Sequence, residues 1–173
     1  LEVVWETFED AGYVQERLNS IQDNYEAGIA VYVGSMYNQY AWSMPTLEHA
    51  ALLSNSTEWH LANRVSHAFD LRGPSVALNS ACSSSLTAIH MACESLKLGN
   101  SLMAIAGGVN LTLDASKYSS LGLIGYLEEG KESKSFGQGE GYIPGEGVGA
   151  VLLKTLDLAI DDGDQIQGIV RNS

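Results

Sequence analysis

Cysteine is scarce: Cys82 and Cys93 are the two in 173 residues, eleven positions apart. Two thiols on one short stretch suit neither a disulfide framework nor a zinc site, so a reducing, cytoplasmic setting is expected. Basic residues are also few, with 9 Lys and Arg against 21 Asp and Glu and a net charge of −12. Nucleic-acid binding needs a basic footprint, which this balance argues against. No apolar run approaches the roughly 20 residues of a membrane span. A secretory signal, with its charged start, apolar stretch and cleavage site, is not seen either. Asn55-Ser56-Thr57 and Asn110-Leu111-Thr112 match the glycosylation pattern, but without secretion they read as chance matches. With 45% hydrophobic and 17% charged residues the chain is globular and the size of one domain; a domain of that size buries roughly 70% of its unfolded surface. It opens on Leu1 inside a helical periodicity and reads as an excerpt of a longer polypeptide, with both ends cut.

What the chain does contain is an unusual stretch from Val76 to Leu96. It begins apolar and β-prone and passes through Ser80, Ala81, Ser83, Ser84 and Ser85, the small residues around Cys82. It then turns to helical spacing, with Leu86, Ile89, Cys93 and Leu96 on one stripe. The pattern predicts a strand, a tight turn and a buried helix, with a cysteine at the corner. A helix starting at Ser83 or Ser84 offers unpaired N–H groups and the positive end of its dipole to that corner. A free cysteine titrates near about 8.5, and a helix N-terminus can bring it to between ~3.5 and ~7.5. The same N–H groups can hold the oxyanion formed when a thiolate attacks an acyl carbonyl. A cysteine among small residues can equally be a well-packed core residue. From these residues alone both readings stay open.

Along the rest of the chain, Val4, Trp5, Phe8 and Ala11 predict a helix over residues 1–11 that stops at Gly12. Residues 13–27 read as polar loop, and Ala27 to Val33 as a strand ending at Gly34. Residues 41–56 read as loop with a helical turn, and Thr57 to Phe69 as a helix capped by Thr57. His60 and His67 on that helix read as packing or surface residues, and His49 has no motif around it. His90 lies about 12 Å along the helix axis from Cys82, too far to serve as its hydrogen-bonded base. Ser101 to Val109 reads as a strand covered on both faces, with Gly107-Gly108 marking close backbone packing. Residues 111–135 lose periodicity. Within them Gly125 to Lys131 mimics a phosphate-binding loop, but Glu132 stands where a metal-binding hydroxyl belongs, and Glu128 and Glu129 would repel phosphate. The six glycines of Gly137 to Gly149 run into a strand ending at Lys154, so they predict close backbone packing and not a dinucleotide loop. Glu140 and Glu146, within that run, read as solvated or structural. Leu156 to Ile160 predicts a short helix, Asp162-Gly163-Asp164 a turn, and Ile166 to Arg171 a final strand.

Strands and helices that alternate, with buried strands, predict an α/β fold of layered sheets and helices. Ala81-Cys82-Ser83-Ser84-Ser85-Leu86, between a strand and a helix, resembles the active-site signature of the β-ketoacyl synthases, and more narrowly the ketosynthase domains of modular polyketide synthases. The resemblance continues upstream in Ala62-Asn63-Arg64-Val65-Ser66 and Phe69-Asp70-Leu71-Arg72-Gly73-Pro74-Ser75. Downstream it includes Ala106-Gly107-Gly108-Val109-Asn110, Lys134-Ser135-Phe136-Gly137 and Gly145-Glu146-Gly147-Val148-Gly149-Ala150. The family usually has Asp-Thr where this chain has Asn79-Ser80. Met36-Tyr37 resembles synthases served by a separate acyltransferase.

The resemblance implies a thiolase-like layered αβαβα fold, of which this chain would be mostly the first half, in a domain that pairs as a homodimer. It implies that Cys82 accepts an acyl chain from the phosphopantetheine thioester of an acyl carrier protein, with a backbone N–H as oxyanion donor. That chain then passes to the carbanion of a decarboxylated malonyl-carrier, and no cofactor or metal is held by the domain itself. Two histidines that the family needs for decarboxylation and condensation match none of the four present, so this excerpt alone is expected to be inactive. Apolar surface meant for a second half would then be exposed. An acidic carrier would need a local basic patch on an acidic protein, for which Arg64, Arg72 and Lys97 are candidates. The rivals are a non-elongating acyl-transfer domain, a non-catalytic partner subunit, and a thiolase or chalcone-synthase relative acting on coenzyme A esters.

Overall fold

The computed structural model describes residues 1–39 and 57–173. They belong to two compact units: residues 1–36, 57–109 and 148–173 form the first, and residues 37–39 and 110–147 belong to the second.

The first unit is built on a sheet in the order β2-β1-β3-β4. Its strands are β1 (Ile29–Ser35), β2 (Ser75–Leu78), β3 (Met103–Asn110) and β4 (Gly147–Lys154). The central strand β1 runs parallel to both neighbours, with Val31 opposite Ser75 and Ile105, and Gly34 opposite Leu78 and Gly108. Parallel strands need crossovers, and helices supply them. Here α1 (Glu2–Asp10) and α2 (Gln15–Asn24) precede β1, α3 (His60–Ala68) precedes β2, and α4 (Ser84–Lys97) links β2 to β3.

Because side chains alternate across a strand, β1 and β3 feed two different cores. Ile29, Val31, Met103 and Ile105 point to one face and pack with Val4, Phe8, Leu18 and Val65. Ala30, Tyr32, Ala104 and Ala106 point to the other and pack with Ala88, Ala92 and Leu96 of α4. Alanine against alanine lets α4 lie close to the sheet. The buried face of α4 is therefore Ser84, Ala88, Ala92, Ser95 and Leu96; of the Leu86, Ile89, Cys93, Leu96 stripe that hydrophobicity favours, Leu96 is buried, Ile89 packs at the core's edge and Leu86 is not buried. Leu86 is 69% exposed.

Three local readings are corrected. Residues 15–24 form α2 although they are mostly polar, because Leu18 and Gln22 are buried and Ile21 packs against the core beside them. The Gln22 side chain behaves like a strand: its Nε2 donates to the Asp70 carbonyl at 2.9 Å and its Oε1 accepts from the Arg72 N–H at 2.7 Å. The helix expected from Thr57 starts at His60, after Trp59 and without a side-chain cap. Residues 166–171 form no strand, because a strand needs a partner ladder for its backbone groups and this segment has none among the described residues.

A polar knot ties the α1–α2 turn to the turn after α6 (Leu156–Asp161). The Tyr13 hydroxyl donates to Asp164 at 2.7 Å and accepts from Lys154 Nζ at 2.9 Å, while Lys154 also donates to Asp164 at 2.6 Å and to Asp162. Burial pushes the Tyr13 phenol up. Burial works against the charge on Lys154, yet its two aspartates and Tyr13 hold it above the ordinary lysine value. At Asp164 burial is likewise outweighed, by hydrogen bonds from Lys154 and Tyr13, and the carboxyl sits below its usual range.

In the second unit, α5 (Ser116–Leu123) begins beside Asp114, whose carboxylate accepts the Ser116 N–H at 2.8 Å. Lys117 is buried and donates to Asn110 Oδ1 at 2.6 Å and to the Leu111 carbonyl at 3.1 Å, with its ammonium 4.9 Å from the centre of the Tyr37 ring. Burial lowers its pKa, while Glu146 pulls the other way. Within the glycine run the close packing falls at Gly141, where a Cβ would lie 2.5 Å from the Leu127 carbonyl carbon, while a Cβ at Gly145, Gly147 or Gly149 would meet open space. In the first unit, one on Gly107 would lie 2.4 Å from the Gly149 oxygen.

Candidate active site

Strand β2 ends at Leu78 and α4 begins at Ser84, which leaves five residues for a reversal of direction. The reversal is made at Ala81, whose φ of +57° lies in the left-handed region. That region is unfavourable for any residue with a Cβ and persists only where its surroundings hold it. Five polar side chains surround it. Asn79 Oδ1 accepts the Ala81 N–H at 3.0 Å, and Asn79 Nδ2 donates to the Met36 carbonyl at 3.2 Å. Ser84 Oγ accepts the Ser80 N–H at 3.0 Å and donates to the Ala81 carbonyl at 2.6 Å. Ser83 Oγ donates to the Ser80 carbonyl at 2.8 Å, and the Ser80 and Thr87 hydroxyls lie 2.7 Å apart.

Cys82 sits in the middle of this corner, one residue before the Ser83 cap of α4, and it is exposed. Cys93 is half-buried within α4.

Two glycines let the helix start settle onto the sheet. A Cβ on Gly34 of β1 would stand 2.5 Å from the Ser84 carbonyl carbon, and one on Gly108 of β3 would stand 2.7 Å from Ser85 Cβ. The sequence reading took Gly34 as the end of a strand and missed this contact. The signal available was a glycine at equivalent register in two adjacent strands, facing a helix whose cap and first two residues are Ser83-Ser84-Ser85.

The other candidates are dispersed. His60 opens α3 and stacks on Trp59 with ring centroids 3.6 Å apart, His67 lies in the last turn of α3, and His90 is exposed on α4. His49 lies outside the described residues. Glu146 accepts the Thr112 N–H, a structural role, and Glu140 is exposed. Of the proposed basic patch, Arg72 is ion-paired with Asp23 at 2.7 Å and Asp70 at 3.2 Å, and Lys97 with Glu94 at 3.1 Å. Among the described residues only Arg64 of the three has no carboxylate partner. No helix among the described residues is long and apolar enough to cross a membrane, and no three metal-ligating side chains cluster among them.

The chain is 61% identical over 173 residues to the polyketide synthase PksR of Bacillus subtilis, all of this chain against 7% of that protein. It is 41% identical over 177 residues to the lovastatin diketide synthase lovF of Aspergillus terreus, again 7% of its length. Among solved structures, the oxazolomycin ketosynthase domain OzmH KS7 of Streptomyces albus matches 95% of this chain with a TM-score of 0.82 and 41% identity. The ketosynthase from module 6 of the Bacillus subtilis bacillaene synthase matches 92% of it with a TM-score of 0.72 and 34% identity. This chain spans 28% and 26% of those two chains. Those neighbours bear out the α/β, thiolase-like reading of the fold. The model of the β-ketoacyl synthase N-terminal domain matches residues 1–159, and the chain belongs to that family.

Proposed function

We propose that this chain carries the acyl-accepting cysteine of a polyketide ketosynthase, and that Cys82 is that residue. The observation that supports it most is an exposed thiol at a left-handed corner, directly before a 14-residue helix, in a chain of this family. In the first half-reaction the Cys82 thiolate attacks the thioester carbonyl of an acyl group on the phosphopantetheine arm of an acyl carrier protein. The new C–S bond forms as the arm's sulfur leaves, and that sulfur takes up the proton Cys82 gave up. The oxyanion is held by backbone N–H groups at the helix start, including that of Cys82. In the second half-reaction a malonyl-carrier loses carbon dioxide, and its carbanion attacks the Cys82 thioester. A carbon–carbon bond forms, the Cys82 thiolate is released, and the product is a β-ketoacyl thioester two carbons longer. Covalent capture divides one difficult transfer into two easier ones.

None of the four histidines stands in the family's motif, so decarboxylation and condensation rest on groups outside residues 1–173, and these residues alone would not condense. The working form is a cytoplasmic homodimer of the whole domain, to which the carrier protein docks through local positive charge, with Arg64 the best remaining candidate on this chain.

The test is intact-mass and peptide-resolved mass spectrometry of the intact protein after incubation with an acyl-carrier thioester. An acyl adduct on the Cys82 peptide, absent from Cys82→Ala, is expected. An adduct on Cys93, or one that survives Cys82→Ala, refutes the assignment. Adding malonyl-carrier then separates an elongating enzyme, which releases an extended product, from a domain that only passes the acyl group on.

A further inference from the structure

Ser84 is the first residue of α4 and is only 5% exposed, yet its side chain turns back on the corner. Its Oγ accepts the Ser80 N–H at 3.0 Å and donates to the Ala81 carbonyl at 2.6 Å, and its own N–H reaches that same carbonyl at 3.1 Å. One residue thus grips the Ala81 oxygen twice. Behind the grip, the Ser84 backbone rests on β1, where a Cβ on Gly34 would stand 2.6 Å from the Ser84 oxygen. The hydroxyl therefore acts from a fixed base. The gripped carbonyl belongs to the peptide unit that ends in the Cys82 N–H. No peptide bond among the described residues is cis, and in a trans peptide the N–H points away from the C=O. With its oxygen held toward Ser84, this peptide aims the Cys82 N–H to the opposite side, and no hydrogen bond among the described residues takes it. The left-handed φ of Ala81 does not keep that plane in place unaided, since such a step persists only where its surroundings hold it.

We infer that Ser84 is a positioning residue for the oxyanion: by holding the Ala81 carbonyl, its hydroxyl sets the direction of the Cys82 N–H that receives the charge of the tetrahedral adduct. A donor stabilises that charge only if it already points to where the oxygen will stand. Alanine in place of Ser84 keeps the helix N–H but loses both bonds of the hydroxyl, so the peptide plane is free to turn. The inference rests on Cys82 being the acyl acceptor, and its test separates the two claims.

In the intact protein, two reactions at the Cys82 peptide are followed by mass spectrometry. Acylation by acetyl- or hexanoyl-N-acetylcysteamine passes through an oxyanion, whereas alkylation by iodoacetamide displaces iodide at a saturated carbon and forms none. Ser84→Ala is expected to lower the maximal acylation rate by about ten- to a hundredfold, with little change in the half-saturating thioester concentration. Its alkylation rate between about pH 5 and 10 should stay within about twofold of wild type, because the thiol ionises as before. Ser84→Thr, which keeps the hydroxyl, should restore acylation, and Ser84→Val, of the same shape without it, should not. A residue of purely structural importance would lower the melting temperature and slow both reactions together, so parallel losses overturn the inference. If wild-type Cys82 is acylated and Ser84→Ala loads equally fast, the inference fails and the acyl-acceptor reading stands. If wild-type Cys82 is alkylated but takes neither acyl group, the acyl-acceptor reading fails and the inference falls with it. Should Ser84→Ala not fold, the acylation rate of Ser84→Thr over that of Ser84→Val carries the test, and equal rates overturn the inference.

Discussion

Gly34→Ala is the most direct probe of how the fold aims the cysteine. The added methyl would stand 2.5 Å from the Ser84 carbonyl carbon, 2.6 Å from its oxygen and 2.7 Å from the Ser85 nitrogen. All three are backbone atoms of the first turn of α4, so no side chain can swing away. Ordinary contact begins at 3.4 Å, so the helix start must retreat from β1 by on the order of 1 Å, and Cys82, two residues before that turn, moves with it. Overpacking of this kind costs about 1–3 kcal/mol of stability. A displacement of that size at a reacting atom can cost about a hundredfold in rate. The control is Val31→Ala, three positions earlier on the same strand, whose fully buried side chain faces the opposite core. Losing it costs a comparable ~2 kcal/mol without touching the corner. Acyl loading of Cys82 in the intact protein, followed by mass spectrometry below the melting transition of each variant, should fall by about one to two orders of magnitude for Gly34→Ala and stay near wild type for Val31→Ala. Equal slowing in both would mean that global stability governs loading. No slowing in Gly34→Ala would mean that the helix start does not aim the sulfur.

Two further outcomes concern the scaffold. Gln22→Ala leaves the Asp70 carbonyl and the Arg72 N–H without their partner and should cost about 1–3 kcal/mol in urea denaturation; a loss of only a few tenths would show that water replaces the side chain freely. The Tyr13–Lys154–Asp164 knot sets a pH dependence. The Asp164 carboxyl is depressed, so its contribution is present above the unfolded carboxylate value of about 3.9 and is lost as pH falls through the lower folded value. Tyr13 and Lys154 are raised, so their contributions are present below their unfolded values of about 10 and are lost as pH rises past the folded ones. Melting curves of Asp164→Asn should show a shallower acid limb than wild type, and an unchanged limb would remove Asp164 from the account.

Much of this was legible in the chain because periodicity and punctuation act locally. The helix over residues 1–11, the buried strands at β1 and β3, and the passage from glycine run to strand at Lys154 follow from side-chain alternation and from where glycine stops a helix. So does the strand–turn–helix around Cys82, since small residues between an apolar run and a helical repeat have few other ways to pack. What lay beyond the sequence was long-range. Polar α2 is a helix because Leu18 finds a core and Gln22 finds the backbone of Asp70 and Arg72, some fifty residues away. Leu86 is exposed while Ala88 and Ala92 are buried, because the face of the sheet beneath them is alanine, and close approach there decides more than hydrophobicity. Residues 166–171 carry strand-forming side chains but no ladder. The sequence by itself determined that a cysteine stands at a corner before a helix. Only the tertiary structure decided how that corner is held, because the Met36 carbonyl just after β1, Gly34 of β1 and Gly108 of β3 reach it from elsewhere in the chain, and contacts of that kind leave no mark on local spacing.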